Sequence, residues 1–232
     1  MIDFHSHLLP GIDDGSKNVR MSVAMLNESK MQKIDISVAT PHFYFNKDTE
    51  KMIQKRDKVF EKLIQYMEKK NIDFPEIILG FEVYLSRDIL DEPNLDGLLI
   101  TGTNTMLVEM PLAKWNEDIF KRLEFLLYKG YDIIIAHPER YQEVCGKEEY
   151  DRLFSYGCVG QFNAASLIYP NTREFTFSMI KEGKIKLIGS DAHNLGTRAN
   201  IMEIAADFIR KRLGDEVLDN MKDTAEHYLG RR

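Results

Sequence analysis

Lys129-Gly-Tyr-Asp-Ile-Ile-Ile-Ala-His-Pro-Glu-Arg140 decides the fold class. The stretch opens on a helix stop, with glycine placed as C′ behind an amphipathic run. It passes into a short β-branched strand over 132–136 and ends on a histidine. Glu182-Gly183 repeats this syntax ahead of Ile185 to Gly189. Working outward, further strand candidates are Ile2 to Phe4, Ile36 to Thr40, Ile77 to Gly80, Met106 to Glu109 and Cys158 to Phe162. Helical periodicity predicts helices near 17–32, 49–69, 117–129, 148–156, 173–182, 197–212 and 215–229. Strand, loop and helix alternate throughout, which predicts an α/β domain with a parallel sheet.

The strand runs end in polar residues that a core does not tolerate unpaired: His5 and His7, His42, Glu82, Glu109, His137, Asn163, and Asp191 with His193. In α/β folds the loops after the strands form the active face, so one side of the molecule collects this set. Seven strands with a ligand candidate from nearly every one suit a distorted seven-stranded β/α barrel of the TIM-barrel kind. An open sheet is the alternative, although its outer strands would lie far from the crevice.

Strand alternation places His5 and His7 on one side, about 6 to 7 Å apart along the backbone. Asp191 and His193 repeat that spacing at the last strand. The candidate metal ligands are His5, His7, His42, Glu82, Glu109, His137, Asp191 and His193, joined by Asp14 mostly on the strength of the family resemblance given below. They exceed what one ion can use. Four buried carboxylates would require neutralisation by protons or cations; two divalent ions balance them and three leave a surplus suited to a phosphate dianion. Imidazole and carboxylate without thiolate are compatible with manganese, iron or zinc. Asp13-Asp14-Gly15 also reads as an ordinary turn, with Asp or Ser16 capping the following helix.

The bulk properties narrow the classes of function. A net charge of −6, from 31 basic and 37 acidic residues, provides no electrostatic footprint for nucleic acid or an anionic membrane. No apolar run is long enough for membrane insertion and no leader is evident, so a cytoplasmic protein with one domain over 1–232 is expected. Methionines on the helices at 17–32 and 197–212 read as packing against the sheet. A homo-oligomer is neither fixed nor excluded. A cysteine-dependent phosphatase needs an arginine six positions after its thiolate, but Cys145 is followed at that spacing by Asp151 and Cys158 by Ala164.

Together, Met1 to Gly15, Ala39-Thr-Pro-His42, Gly80-Phe-Glu-Val-Tyr84, Leu107-Val-Glu-Met-Pro111, Ile135 to Tyr141 and Ser190-Asp-Ala-His-Asn194 resemble the manganese-dependent protein tyrosine phosphatases. Those enzymes belong to the polymerase and histidinol phosphatase (PHP) superfamily and are encoded with bacterial capsule and exopolysaccharide genes. The resemblance runs in order from residue 1 to about residue 200. It implies three metal ions, Mn²⁺ foremost: one held by His5, His7, Glu82 and Asp191, one by Glu82, Glu109 and His137, and one by Asp14, His42 and His193. It also implies that Arg140 holds the substrate phosphate, and that the substrate is the phosphotyrosine-bearing, tyrosine-rich tail of a bacterial tyrosine autokinase.

On physical grounds, hydrolysis of a phosphate monoester here needs a metal-activated water in line with the leaving oxygen and positive charge against the phosphoryl group. Arg140, Asp191 and His193 are the catalytic candidates. Arginine suits the phosphate because its fork holds two oxygens at once, while an ion pair from Arg140 to Glu139 or Glu143 is the plainer reading. Asp13, Asp191 and His193 are alternatives for orienting the water or assisting the leaving group. Phe43, Tyr44, Phe45, Tyr84, Trp115, Tyr141 and Tyr169 form a candidate aromatic mouth, although Phe43, Phe45 and Tyr84 equally suit packing beneath the loops. Two other functions stay open: a small-molecule phosphomonoesterase, such as one acting on histidinol phosphate, and a metal-stabilised binding protein without turnover.

Overall fold

The computed structural model describes residues 1–45 and 48–231. The single unit expected over 1–232 includes Asn46, Lys47 and Arg232, which lie outside the described residues. Strands β1 (Ile2–Ser6), β2 (Ile36–Ala39), β3 (His42–Phe43), β4 (Glu76–Leu79), β5 (Glu82–Tyr84), β6 (Thr105–Glu109), β7 (Asp132–Ala136), β8 (Val159–Asn163) and β9 (Ile185–Gly189) pair in parallel. Helices α1 (Val19–Met31), α2 (Thr49–Lys69), α3 (Glu117–Tyr128), α4 (Lys147–Ser155), α5 (Pro170–Lys181), α6 (Met202–Leu213) and α7 (Asp215–Tyr228) complete the α/β alternation. The predicted start of the first helix moves to Val19, because Asn18 rather than Asp14 or Ser16 is its cap, accepting from the Met21 amide at 3.1 Å. No helix among the described residues is long and apolar enough to cross a membrane.

Two of the seven predicted strands have a short continuation that was not predicted. The strand expected over 36–40 ends as β2, with β3 following a break at Thr40-Pro41, and that expected over 77–80 ends as β4, with β5 following a break at Gly80-Phe81. Proline has no amide hydrogen for the ladder, but Gly80 N still donates to Ala39 O at 2.9 Å and Glu82 N to Pro41 O at 3.1 Å. The breaks separate a sheet ordered β1-β2-β4 from one ordered β3-β5-β6-β7-β8-β9. Beyond the end of β9 the ring returns to β1: Asp191 N donates to His5 O at 2.8 Å and His7 N to Ala192 O at 3.0 Å. The expected distorted barrel thus follows seven strand paths, two of them interrupted.

One apolar cluster takes Ile2, Phe4, Ile36, Val38, Leu107, Ile134, Val159 and Leu187 from around this ring, with Ile78 packed against it. It is the barrel interior, closed at one end by Ala225 and Leu229 at the end of the chain. The larger cluster lies between strands and helices and includes Leu26, Leu63, Phe120, Leu153, Phe177 and Ile209. Met25 and Met202 are buried there, as the methionine pattern predicts, whereas Met31 is 67% exposed.

A bulge in β1 directs the functional side chains. Asp3 pairs with Ser37, and the next pair is Ser6 with Ala39, so β1 spends one residue more than β2 over that interval. Phe4 joins the inner cluster, and His5 reaches Gln161 on β8 instead of following simple alternation to the outer face. Gly189 leaves the room this requires, since a Cβ there would sit 2.6 Å from His5 Cβ.

Candidate metal centre

The ligand candidates from both ends of the chain converge above the inner apolar cluster. His5 Nε2 and His7 Nε2 lie 3.1 Å apart, and each is 3.3 Å from Glu82 Oε2. Asp191 Oδ1 stands 3.7 Å from the first imidazole nitrogen and 3.3 Å from the second. On one flank, His137 Nε2 is 2.7 Å from Glu82 Oε1 and 4.0 Å from Glu109 Oε1. On the other, Asp14 Oδ1 is 3.4 Å from His42 Nε2 and 3.3 Å from His193 Nε2. All nine candidates are brought together, and His227 lies outside the set, exposed on α7. His5 and His137, separated by most of the chain, stack with centroids 5.6 Å apart.

Local backbone geometry aims two of these residues. His137 and Asp191 follow the ends of β7 and β9 in the left-handed region, with φ of 34° and 51°. Such a conformation costs a non-glycine residue on the order of 1–3 kcal/mol and persists where surrounding contacts hold it. Asp191 is held by Asn163 Nδ2 at 2.7 Å, by Arg198 Nη2 at 3.0 Å from each of its carboxylate oxygens, and by Arg140.

The imidazoles are also oriented from behind. His5 Nδ1 faces Gln161 Oε1 at 2.8 Å, His7 Nδ1 faces Asp13 Oδ2 at 2.7 Å, and His193 Nδ1 faces the Asp191 carbonyl at 2.9 Å. Each contact turns Nε2 toward the cluster, the arrangement by which outer partners fix a metal-binding tautomer. Asp13 is fully engaged, since its other contacts are the amides of His42 and Gly15, both at 3.0 Å. This directs it to positioning His7 rather than to orienting a water.

The electrostatics favour cations. Burial opposes charge on His5, but Glu82 and Asp191 overcome it and raise its pKa; His7 is raised further, by Asp13, Asp191 and Glu82. Glu82 and Asp191 are held well below the ordinary carboxylate range despite burial, chiefly through the charge of His5, with further contacts from His137 to Glu82 and His7 to Asp191. Burial and the Glu82 charge push Glu109 up to about 7. His137 falls to about 4 through burial and Arg140, and His193 to about 4 through burial and His7. Glu82 Oε2 and His193 Nε2 are buried without an aligned hydrogen bond. Such atoms, in an imidazole and carboxylate set, fit divalent metal ions.

Several sequence expectations change. Asp14 is not one of four buried carboxylates: its side chain is 63% exposed at the rim, so water already offsets much of its charge. Arg140 pairs with Asp191 rather than Glu139 or Glu143, and Glu139 is buried with Oε1 accepting from Asn163 N at 2.9 Å. Of the aromatic mouth, Phe43, Trp115 and Tyr141 are core; Trp115 donates to Pro111 O, and Tyr141 OH accepts from Met110 N. Tyr44, Tyr84 and Tyr169 keep some exposure. Both cysteines are buried, and burial pushes the Cys158 thiol up to about 12, the reverse of an activated nucleophile. Sequence reasoning missed Arg198 and Gln161 and left Asn163 without a role. The alternation Gln161-x-Asn163 on one strand carried a signal, whereas Arg198 sits in an irregular loop with no periodicity to reveal it.

Comparison with known proteins extends over nearly the whole chain. Residues 1–227 match the family described as capsular polysaccharide synthesis, CpsB/CapC. Tyrosine-protein phosphatase CpsB of Streptococcus agalactiae serotype III is 26% identical over 248 aligned positions, covering 99% of this chain and all of its own length. Tyrosine-protein phosphatase YwqE of Bacillus subtilis is 27% identical, covering 99% of this chain and 91% of its own. A crystal structure from a study of YwqE of Bacillus subtilis and CpsB of Streptococcus pneumoniae, described there as unique metal-dependent tyrosine phosphatases, superposes with a TM-score of 0.87 at 26% identity. It covers all of this chain and 95% of its own. The phosphotriesterase homology protein of Escherichia coli, at 10% identity and a TM-score of 0.61 over 98% of both chains, shares the fold.

Proposed function

The chain belongs to the CpsB/CapC family of capsular polysaccharide synthesis, and from that premise we propose that it is a metal-dependent protein tyrosine phosphatase. The observation that carries this reading is the convergence of nine imidazole and carboxylate ligands beside two guanidinium groups, Arg140 and Arg198, which meet on Asp191. Divalent cations held here, Mn²⁺ foremost and with three sites as the proposed number, would acidify a water and offset charge on the transferring phosphoryl group. The proposed ligand sets are His5, His7, Glu82 and Asp191; Glu82, Glu109 and His137; and Asp14, His42 and His193, with Glu82 shared.

The chain's own groups do the rest. Arg140 and Arg198 present forked donors to phosphoryl oxygens, exchanging part of their contact with Asp191 for the substrate. Asp13 and Gln161 hold the rings of His7 and His5 in place. His193, neutral near pH 7, holds Nε2 toward the rim through its Nδ1 contact with the Asp191 carbonyl. The proposed natural substrate is a phosphotyrosine-bearing tail of a bacterial tyrosine autokinase in the cytoplasm, a reading supported by the family's place in capsular polysaccharide synthesis and by its relatives' names.

The deciding experiment compares a phosphotyrosine peptide, a phosphoserine peptide and histidinol phosphate at equal Mn²⁺-loaded enzyme. The phosphotyrosine peptide is expected to be turned over with the highest kcat/KM. Histidinol phosphate ahead by about tenfold, equivalent to roughly 1.4 kcal/mol in the barrier, would overturn the assignment.

A further inference from the structure

A cavity of about 330 Å³ begins at the metal centre and runs away from it between the turn after β8 and the loop after β9. Asp191, Arg140 and Arg198 all line it, so the groups that face the phosphate also form one end of this cleft. The rest of the lining is mostly apolar, with Ala165, Ile168, Tyr169, Ala199 and Ile201, and includes the hydroxyls of Ser166, Thr172 and Thr197. Its size is at the small end of pockets that take organic ligands. We infer that this cleft receives the aromatic ring of the phosphotyrosine and thereby selects aryl over short alkyl phosphate esters; the inference rests on the phosphatase reading above.

The lining of the cleft combines two cations with apolar surface. Arg140 and Arg198 are the cationic residues of its lining and most of the remaining exposed lining is apolar, matching an anion joined to a neutral ring. Reach supplies the selectivity. A phosphotyrosine places its phosphorus a full ring further from the peptide backbone than a phosphoserine does, so the ring spans the cleft while the peptide stays at the mouth beside the 61%-exposed Tyr169. Phosphoserine would have to draw its main chain inside, stripping water from amide groups that a mostly apolar lining with a few hydroxyls replaces only in part. The other aromatic rim, Tyr44 and Tyr84, packs ring to ring at 5.6 Å and has already spent part of its surface on that contact.

The test uses the full-length, Mn²⁺-loaded protein with Ala165→Leu, which narrows the cleft, and Ile168→Ala, which removes part of its wall. Steady-state kinetics on a phosphotyrosine peptide are expected to show KM raised about tenfold or more in the first variant and less in the second, the scale on which a hydrophobic pocket reads added or missing methylenes. The inhibition constant for inorganic phosphate, which carries no ring, should stay within about twofold of the parent value, a free-energy change of under about 0.5 kcal/mol. Wild-type KM in both variants overturns the inference, as does parallel weakening of phosphate inhibition, which places the damage at the metals. A Tyr44→Ala variant that alone raises KM assigns the ring to the opposite rim. An unsubstituted enzyme that hydrolyses other monoesters but no phosphotyrosine defeats the phosphatase assignment itself, an outcome distinct from these.

Discussion

The Nδ1–H of His7 donates to Asp13 Oδ2 at 2.7 Å, and the same carboxylate oxygen accepts the backbone amide of His42 at 3.0 Å. One buried anion, held at about 2 chiefly by its His7 contact despite the burial that opposes ionisation, thus ties a ring from the first strand path to the backbone of the second. Asp13→Ala should lower Mn²⁺ affinity by about 10- to 100-fold, as loss of an outer partner to a ligating histidine does. Titration calorimetry on chelator-stripped protein measures this. Unchanged affinity would reduce Asp13 to a turn former for Gly15.

Glu82 is placed to be shared, with Oε2 facing His5, His7 and His42 and Oε1 facing His137. Glu82→Gln keeps the shape but removes the charge. Elemental analysis should show fewer ions per chain than the parent, and phosphatase activity should fall with them. Full metal content with full activity would dismiss a bridging role.

Arg140 is 40% exposed on its side chain and lies outside the apolar core. Arg140→Ala is therefore expected to change stability by less than about 1 kcal/mol, while kcat falls by about 10²- to 10³-fold, the scale for removing a donor from a developing charge. Arg198→Lys keeps a charge but loses the fork and should also slow turnover. Thermal melts beside steady-state kinetics separate the two effects. An unchanged kcat in Arg140→Ala removes that residue from the mechanism.

Protons compete with metal at this centre. His5 and His7 have raised pKa values and Glu109 is raised to about 7, so all three hold protons at mildly acidic pH that a cation must displace. In chelated protein, the raised histidines contribute stability present below the ordinary imidazole value near 6.5 and lost as pH rises through their folded values. His137 and His193, lowered to about 4, contribute stability present above that ordinary value and lost as pH falls toward 4. These opposing contributions make metal binding the clearer readout. Mn²⁺ affinity should rise from pH 6 to pH 8 with net proton release, detected as a dependence of binding heat on buffer ionisation enthalpy. Affinity independent of pH would contradict this account.

Gly189 allows β9 to approach the bulged β1 closely. A Cβ there would lie 2.6 Å from His5 Cβ and 2.7 Å from Gln161 Nε2. Gly189→Ala should cost about 1–3 kcal/mol through overpacking, and metal affinity should drop because His5 is displaced. Chemical denaturation with and without Mn²⁺ tests both. A variant as stable and as metal-avid as the parent would show that the strand has slack.

The strand and helix alternation was legible from residue 2 to residue 229 because it rests on local periodicity and helix stops such as Lys129-Gly130, where Gly130 does take a φ of 85° behind α3. The strand ends near Thr40 and Gly80 were legible, whereas the continuations β3 and β5 were not, since runs of two and three residues are too short for a periodicity to register. Tyr141 and Trp115 misled for a related reason: a polar tip on a loop aromatic can be satisfied by a backbone partner inside the core as readily as by water.

By itself, the amino-acid sequence determined the α/β class, the order of its elements and the identity of the nine ligand candidates, because each is a property of neighbours along the chain. Only the tertiary structure decided which way those ligands face. A one-residue bulge in β1 turns His5 inward, left-handed backbone at His137 and Asp191 directs the two later strand ends, and Gln161 and Arg198 become part of the centre. Asp14, chosen from the same motif as His5 and His7, emerges at the rim. These features depend on packing between segments as far apart as His5 and Gln161, and no local pattern of hydrophobicity encodes a contact across that separation.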